Sequence, residues 1–102
     1  MIETEYAWAA GFIDGEGCFH LTNRRKYLRL TVGQVRPEPL YRLKEVLGGS
    51  ISGPRDNGRG QPTYTYRLCS RELGEQIDNI WPYLSRPKRE QFLQKMNEAL
   101  TG

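Results

Sequence analysis

The chain has 102 residues, so one domain spanning residues 1–102 is expected. Its formal net charge of +3 at pH 7 and its pI near 9.0 suit a negatively charged partner. Its two cysteines, Cys18 and Cys69, have no paired spacing, which argues against a metal cluster or a disulfide framework and favours a reducing compartment. No apolar run has the length of a membrane span and "MIETEYAW" lacks signal-peptide order, so we expect an intracellular protein of the cytoplasm or an organelle matrix.

The first third of the chain predicts a helix followed by a two-stranded hairpin. A helix is expected from Thr4 to about Asp14. The segments "CFHLTN" and "YLRLTVGQV" then alternate apolar and polar residues, as half-buried strands do, and the polar "NRRK" between them is a turn candidate. The hairpin should therefore have one apolar face and one polar, partly basic face.

A second helix and a second strand pair follow. Pro37 and Pro39 are expected in the first turn of the helix, where proline is tolerated, and Gly48-Gly49 should terminate it. The segments "SISGPR" and "TYTYRLC" are predicted strands joined by the glycine-rich loop "DNGRGQP".

Two further helices are predicted at the C-terminal end. Ser70 is expected to be the N-cap of the first, which carries an apolar stripe up to Trp81 and ends near Pro82. The second should start around Arg86-Pro87 and pack against the core through these residues: Phe92 or Leu93, Met96 and Leu100.

The order of elements predicts an α+β domain of the pattern αββαββα(α), with a four-stranded antiparallel sheet and helices on one face. The other sheet face would carry Tyr, Thr, Arg and His side chains, with no element left to cover it. Such a face suits a nucleic acid, and ordinary solvation is the alternative interpretation.

The stretch "AAGFIDGEGCF" places Asp14 and Glu16 where the first helix should end, although helix C-termini favour cations. Ala7, Gly11 and Gly15 recur every four residues and form a stripe that a second copy of the helix could approach closely. A two-fold axis would then bring the acids of both copies together. A divalent cation such as Mg²⁺ between them would remove their repulsion.

Residues 9–17, "AAGFIDGEG", resemble the LAGLIDADG motif of a family of homing endonucleases. The similarity extends through "LTVGQV", "LGGSI", "YTYRLCS" and "RPKREQ" in the family's order, although Ala9 departs from the usual leucine. The resemblance implies a homodimeric endonuclease that cleaves double-stranded DNA at a long, roughly palindromic site and mobilises an intron or intein. It implies Mg²⁺ as cofactor, with Mn²⁺ or Ca²⁺ able to replace it in binding, and neither a membrane nor a small-molecule partner.

The same resemblance implies a role for individual residues of the motif. Glu16 matches the acid that binds metal, with the main-chain oxygen of Gly17 as a second ligand. Asp14 matches an acid that is more often structural, at the helix junction.

Three residues outside the motif are further candidates for catalysis. Gln34 matches a polar residue that orients the attacking water, with a solvent contact at the strand end as the alternative. Lys88 matches a cation that stabilises phosphate charge or polarises water, with Arg89 as its rival, and the alternative for either residue is a plain cation at the start of a helix.

The resemblance also implies that each sheet lies in the major groove of one half-site. The candidates for DNA contacts are His20, Thr22, Arg24, Tyr27, Arg29, Thr31, Thr65 and Arg67, together with Ser52 and Arg55, for which the strand register is less well defined. Two alternatives stay open at this point. One is a cleavage-deficient DNA-binding protein or an intron-splicing maturase. The other is a structural domain in which the acids only cap the helix and the small-residue stripe only mediates dimerisation.

Overall fold

The elements of the computed structural model follow the predicted order, and the α+β fold is confirmed. The structure describes residues 2–22, 27–56, 58 and 60–101, so the predicted turn at 23–26 lies outside the described residues. The elements are α1 (Ile2–Glu16), β1 (Gly17–Thr22), β2 (Tyr27–Gln34), α2 (Glu38–Leu47), β3 (Ser50–Asp56), β4 (Pro62–Leu68), α3 (Ser70–Ile80), a 3₁₀ turn (Trp81–Tyr83) and α4 (Arg86–Thr101).

The four strands form one antiparallel sheet in the order β1-β2-β4-β3, so β1 and β3 are its edge strands. The register places Phe19 opposite Leu30 and Leu30 opposite Leu68, and all three side chains are buried. The residues between them point to the other face because side chains alternate along a strand. The predicted division into an apolar and a polar face is therefore confirmed for the first hairpin.

The helices cover the apolar face of the sheet. Ala9, Ala10 and Ile13 of α1 are fully buried, and the apolar stripe of α2 places Leu40, Leu43 and Leu47 in the same core. Burial of these aliphatic and aromatic side chains is the main favourable contribution to folding. None of the described helices is long and apolar enough to cross a membrane.

The first helix is longer than predicted and continues through Glu16, after which β1 begins without a loop. Gly17 allows this direct transition. A Cβ at this position would lie 3.0 Å from both the main-chain oxygen and the Cγ2 atom of Ile13, tighter than most Cβ contacts, so a larger residue would require Ile13 to shift. Both motif acids therefore belong to the last turn of a helix that runs straight into a strand.

The helix α3 begins one residue earlier than predicted and ends two residues before Pro82. Ser70 is the first helical residue, and Cys69 holds the N-cap position without a side-chain cap bond. The helix ends at Ile80, and Trp81 begins the 3₁₀ turn. Pro82 accounts for the end of the α-helix, since proline has no N–H to donate to the carbonyl four residues earlier.

The packing predicted for α4 is correct at Phe92 and wrong at the other apolar positions. Leu93, Met96 and Leu100 are 55%, 43% and 81% exposed. The residues of α4 that turn towards the protein are partly or fully buried and follow helical spacing: Lys88, Arg89, Gln91, Phe92, Lys95, Glu98 and Ala99. Polar side chains that hydrogen-bond to the rest of the fold therefore form part of the inner face of α4. Leu93, Met96 and Leu100 lie outside this face.

Candidate active site and nucleic-acid interface

The end of α1 and the end of β2 meet through two of the predicted site residues. Gln34 donates from Nε2 to Oε2 of Glu16 at 3.0 Å. Gln34 lies on the helix-covered face at the last position of β2, where the sheet gives way to exposed chain. The carboxylate is itself exposed, so this hydrogen bond fixes its orientation while leaving it accessible.

Lys88 reaches the same junction from α4. Its Nζ donates to the main-chain oxygen of Gly17 at 2.8 Å, in a partly buried contact. Since Gly17 follows Glu16 directly, the ammonium, the carbonyl and the carboxylate lie in one region. An ammonium has three donors, so Lys88 retains the capacity for further hydrogen bonds.

Arg89 is directed elsewhere. Its guanidinium donates to the main-chain oxygens of Trp81 and Pro82, both at 3.0 Å, and lies 5.8 Å from the centre of the Trp81 ring. These carbonyls belong to the 3₁₀ turn between the last two helices. The structure therefore places Lys88, and not Arg89, beside the motif acids.

Asp14 bonds to the start of α4. Its two carboxylate oxygens accept from the N–H of Ser85 at 3.0 and 3.1 Å, and Ser85 Oγ accepts from the N–H of Lys88 at 3.4 Å, as an N-cap side chain does. The first turn of α4 has no acidic residue of its own, so Asp14 supplies the negative charge that a helix N-terminus favours. This contact fits the structural role that the resemblance implied for Asp14.

At this junction Ser85 was not predicted from the sequence, and Gln91 entered only as the last residue of the family-like segment "RPKREQ", without a predicted contact. Ser85 could have been found, because a serine ahead of Arg86-Pro87 is a typical N-cap signal. Gln91, whose Oε1 accepts from the N–H of Phe19 at 2.9 Å, carries no local signal, because its partner lies 72 residues away.

The oxygens of Glu16 and Gly17 are suitable ligands for a hard divalent cation. Carboxylate and carbonyl oxygens are what Mg²⁺ and Ca²⁺ accept, and Mg²⁺ keeps several waters or phosphate oxygens besides. Within the described ranges no three His, Cys, Asp or Glu side chains come together as a metal site. The Gly17 oxygen already accepts from Lys88, so a metal would use its second lone pair together with the Glu16 carboxylate, and other groups would fill the remaining positions.

The predicted DNA contacts share the sheet face opposite the helices. The register pairs His20 with Arg29 and Thr31 with Arg67 across neighbouring strands. Arg67 also donates to Ser52 Oγ at 2.7 Å. The structure gathers on this face the residues His20, Thr22, Tyr27, Arg29, Thr31, Ser52, Thr65 and Arg67.

The two remaining DNA candidates are placed differently. Arg24 lies outside the described residues. Arg55 pairs with Thr63 after an irregularity that begins at Ser52, where β3 gains an extra residue relative to β4. Because of this bulge, Arg55 lies on the polar face. Without the extra residue, the alternation of side chains along β3 would place Arg55 on the helix-covered face.

The small-residue stripe of α1 is open at its glycines. Gly11 and Gly15 are exposed, and a Cβ added to either would meet nothing within 4 Å. Ala7 is half-buried. The packing of a single chain therefore gives no reason for glycine at either position.

A sequence model of the LAGLIDADG endonuclease family matches residues 9–95. The search of curated proteins found no match. The fold is similar to that of the homing endonuclease I-CvuI in complex with its target in the presence of Ca, with a TM-score of 0.73, 21% identity and coverage of 95% of this chain and 67% of that one. It is also similar to the archaeal intron-encoded homing endonuclease I-Vdi141I complexed with DNA (TM-score 0.70, 25% identity, 94% and 67% covered).

A further similar structure is that of the I-SmaMI LAGLIDADG homing endonuclease bound to cleaved DNA. The TM-score is 0.68 at 25% identity, and the match covers 91% of this chain and 34% of that one. The chain thus spans about a third of I-SmaMI. A second I-CvuI structure, with TM-score 0.73, 21% identity and coverage of 95% of this chain and 67% of that one, is a complex with the I-CreI target in the presence of Mg, and its DNA is not cleaved.

Proposed function

The chain belongs to the LAGLIDADG endonuclease family, and from this membership we propose that it is a homodimeric, site-specific endonuclease that hydrolyses both strands of DNA with a divalent metal. The observation that carries the proposal is the junction of α1, β1, β2 and α4. There the Glu16 carboxylate, the Gln34 amide and the Lys88 ammonium lie together at the end of the motif helix.

The side chains of the junction suit phosphodiester hydrolysis, in which water attacks phosphorus and the 3′ oxygen leaves. Gln34 donates to Glu16 through Nε2, which leaves its Oε1 as an acceptor that can orient a water proton. Lys88 can direct a further N–H towards a phosphate oxygen, where charge increases in the transition state. A divalent cation held by Glu16 and Gly17 would supply additional positive charge at the phosphate and at the leaving oxygen.

The dimer is proposed because the open stripe of α1 ends at the site. Gly11 and Gly15 leave room for a second backbone, and Glu16 follows Gly15 directly. Two helices packed along this stripe about a two-fold axis would bring two Glu16 carboxylates near each other. A site with one acidic ligand in a single chain would then receive a second one from its copy.

The polar sheet face is the proposed DNA surface. It presents arginines with threonine, tyrosine and histidine side chains on a scaffold of paired strands. Arginines can contact phosphates or the acceptor atoms of guanine in the major groove, and hydroxyls can read either donors or acceptors. Two-fold symmetry of the protein would require a roughly palindromic target.

Incubation with a library of DNA duplexes, with and without Mg²⁺, tests the proposal. We expect double-strand breaks at one roughly palindromic sequence, and only when the metal is present. Selective binding without cleavage in Mg²⁺ or Mn²⁺ would contradict the endonuclease and favour a cleavage-deficient DNA-binding protein or a maturase. Absence of both binding and cleavage would leave only a structural domain.

A further inference from the structure

We propose that Gln91 is a positioning residue, which holds α4 against β1 so that the Lys88 ammonium stays at the Gly17 carbonyl. The contacts that support this inference all lie within one chain. The kinetic consequence rests on the proposed endonuclease function.

The first observation concerns the free edge of β1. This strand is the first in the sheet, so one of its edges faces away from β2 and would leave backbone groups unpaired. Backbone groups two residues apart point to the same edge of a strand, which places the Gly17 carbonyl and the Phe19 N–H side by side. Lys88 donates to the first at 2.8 Å, and Gln91 accepts from the second at 2.9 Å. Two side chains of α4 thus occupy consecutive sites on this edge.

The second observation is that these side chains share one face of α4. Residues three apart on a helix are neighbours, so Lys88 and Gln91 can reach one strand edge without distortion. Phe92 packs beside them, edge-on to the ring of Phe19 with 5.2 Å between ring centroids. Phe19 is therefore held both by its backbone N–H and by its ring.

The third observation is that Lys88 lies between two anchors. Ser85, three residues earlier, is bonded to Asp14, and Gln91, three residues later, is bonded to Phe19. A lysine side chain has a flexible four-carbon stem and loses much rotamer freedom when it is fixed. The two anchors fix the position of α4, from which that stem extends. Gln91 also fixes the register of α4 along β1, because it bonds to the same strand edge as Lys88.

The variants that test this inference are matched in size and place. Gln91→Met has a similar length but no acceptor oxygen, whereas Gln91→Glu retains an acceptor at the same reach. Gln94→Met makes the same chemical change at an exposed position of α4. If Gln91→Met does not fold, Gln91→Asn replaces it, because the amide is then one methylene shorter and should weaken both contacts in the same direction.

The first readout requires no catalysis. NMR of the isotope-labelled full chain reports hydrogen exchange at the Phe19 amide and the hydrogen-bonded ammonium signal of Lys88. In Gln91→Met we expect the Phe19 amide to exchange about fivefold faster and the Lys88 signal to weaken. Gln91→Glu should restore protection of Phe19, and Gln94→Met should match the wild type. An unchanged Lys88 signal in a folded Gln91→Met protein would overturn the inference.

The second readout separates positioning from simple stability. At saturating protein, the single-turnover cleavage rate of Gln91→Met should fall about 10- to 100-fold, the range that small misplacements of a reacting group produce, while DNA affinity is retained. A loss of affinity without a loss of rate would overturn the inference. If the wild type cleaves no DNA, the proposed function fails, and the NMR comparison still decides whether Gln91 positions Lys88.

Discussion

Lys88 donates a hydrogen bond of 2.8 Å to the main-chain oxygen of Gly17, a residue 71 positions earlier in the chain. The contact joins the first turn of α4 to the point where α1 becomes β1. It places a cation beside a helix end that carries two acids, and so balances part of the charge that a helix C-terminus disfavours. In the proposed function, this ammonium would supply positive charge to a bound phosphate.

Lys88→Met should lower the single-turnover cleavage rate on the order of 100-fold, because the charge is lost while much of the aliphatic stem is retained. DNA affinity should fall by no more than one phosphate contact, measured as a small decrease in the salt dependence of binding. Arg89→Met is the control. It loses two bonds to the 3₁₀ turn, so it should lower the free energy of unfolding by about 1–3 kcal/mol and leave the rate of the folded enzyme unchanged. The reverse pattern would assign the catalytic cation to Arg89.

Gly11→Leu should convert the protein from dimer to monomer in sedimentation velocity, because the larger side chain would separate the two α1 helices. Gly74→Leu is a matched control, since Gly74 is also an exposed helical glycine with nothing within 4 Å of its Cβ direction. Both changes should leave the single chain folded, and each favours the helix by up to about 1 kcal/mol. If Gly11→Leu remains as dimeric as the wild type, α1 is not the interface.

Arg29→Ala should weaken binding to the preferred site or relax the sequence preference, by about 1–3 kcal/mol if the contact is bidentate to guanine. Arg29 lies on the polar sheet face opposite His20. Arg71→Ala is the control, because Arg71 is exposed on α3 in a solvent-accessible pair with Glu75. Binding of each variant to a duplex library would distinguish them. Equal effects of the two substitutions would argue that net charge, and not the sheet face, governs recognition.

Tyr66 should make stability fall at alkaline pH. Burial, and secondly the negative charge of Glu72, raises the pKa of the Tyr66 phenol, whose O–H donates to the Gly48 oxygen at 2.7 Å. The unfolded chain loses this proton near its ordinary pKa of about 10 while the folded chain retains it. The contribution is therefore complete below about pH 10 and decreases above it by about 1.4 kcal/mol per pH unit.

Urea unfolding between about pH 8 and about pH 11 measures this effect. In Tyr66→Phe the free energy of unfolding should decrease less steeply above pH 10, because the contribution of one proton is missing. At neutral pH the variant should be less stable by about 1 kcal/mol, because the hydrogen bond is lost. Identical slopes for the two proteins would show that other groups account for the alkaline loss.

The meeting of Glu16 and Gln34 could be anticipated from the sequence. The alternation of apolar and polar residues in the two segments defines a hairpin. In an antiparallel hairpin, the last residue of β2 lies next to the beginning of β1. Gln34 then lies at the end of α1 on the helix-covered face, where the structure has it. Local periodicity is sufficient here because all the elements are adjacent in the chain.

The position of α4 could not be anticipated in this way. Its bonds to Asp14, Gly17 and Phe19 span more than 70 residues, so no local pattern encodes them. The apolar residues of α4 suggested a core stripe through Met96 and Leu100. The helix instead turns Lys88 and Gln91 inward, because directional bonds to the edge of β1 determine its rotation.

Cleavage by Glu16→Gln in the presence of Mg²⁺ tests most directly whether this protein is a metal-dependent nuclease acting through Glu16. The substitution retains the size of the side chain and removes the charge suited to a divalent cation. Glu45→Gln, at an exposed position of α2, controls for the loss of one negative charge. We predict that Glu16→Gln binds the preferred duplex as tightly as the wild type and does not cleave it, whereas Glu45→Gln does both. Cleavage by Glu16→Gln at the wild-type rate would contradict the assignment.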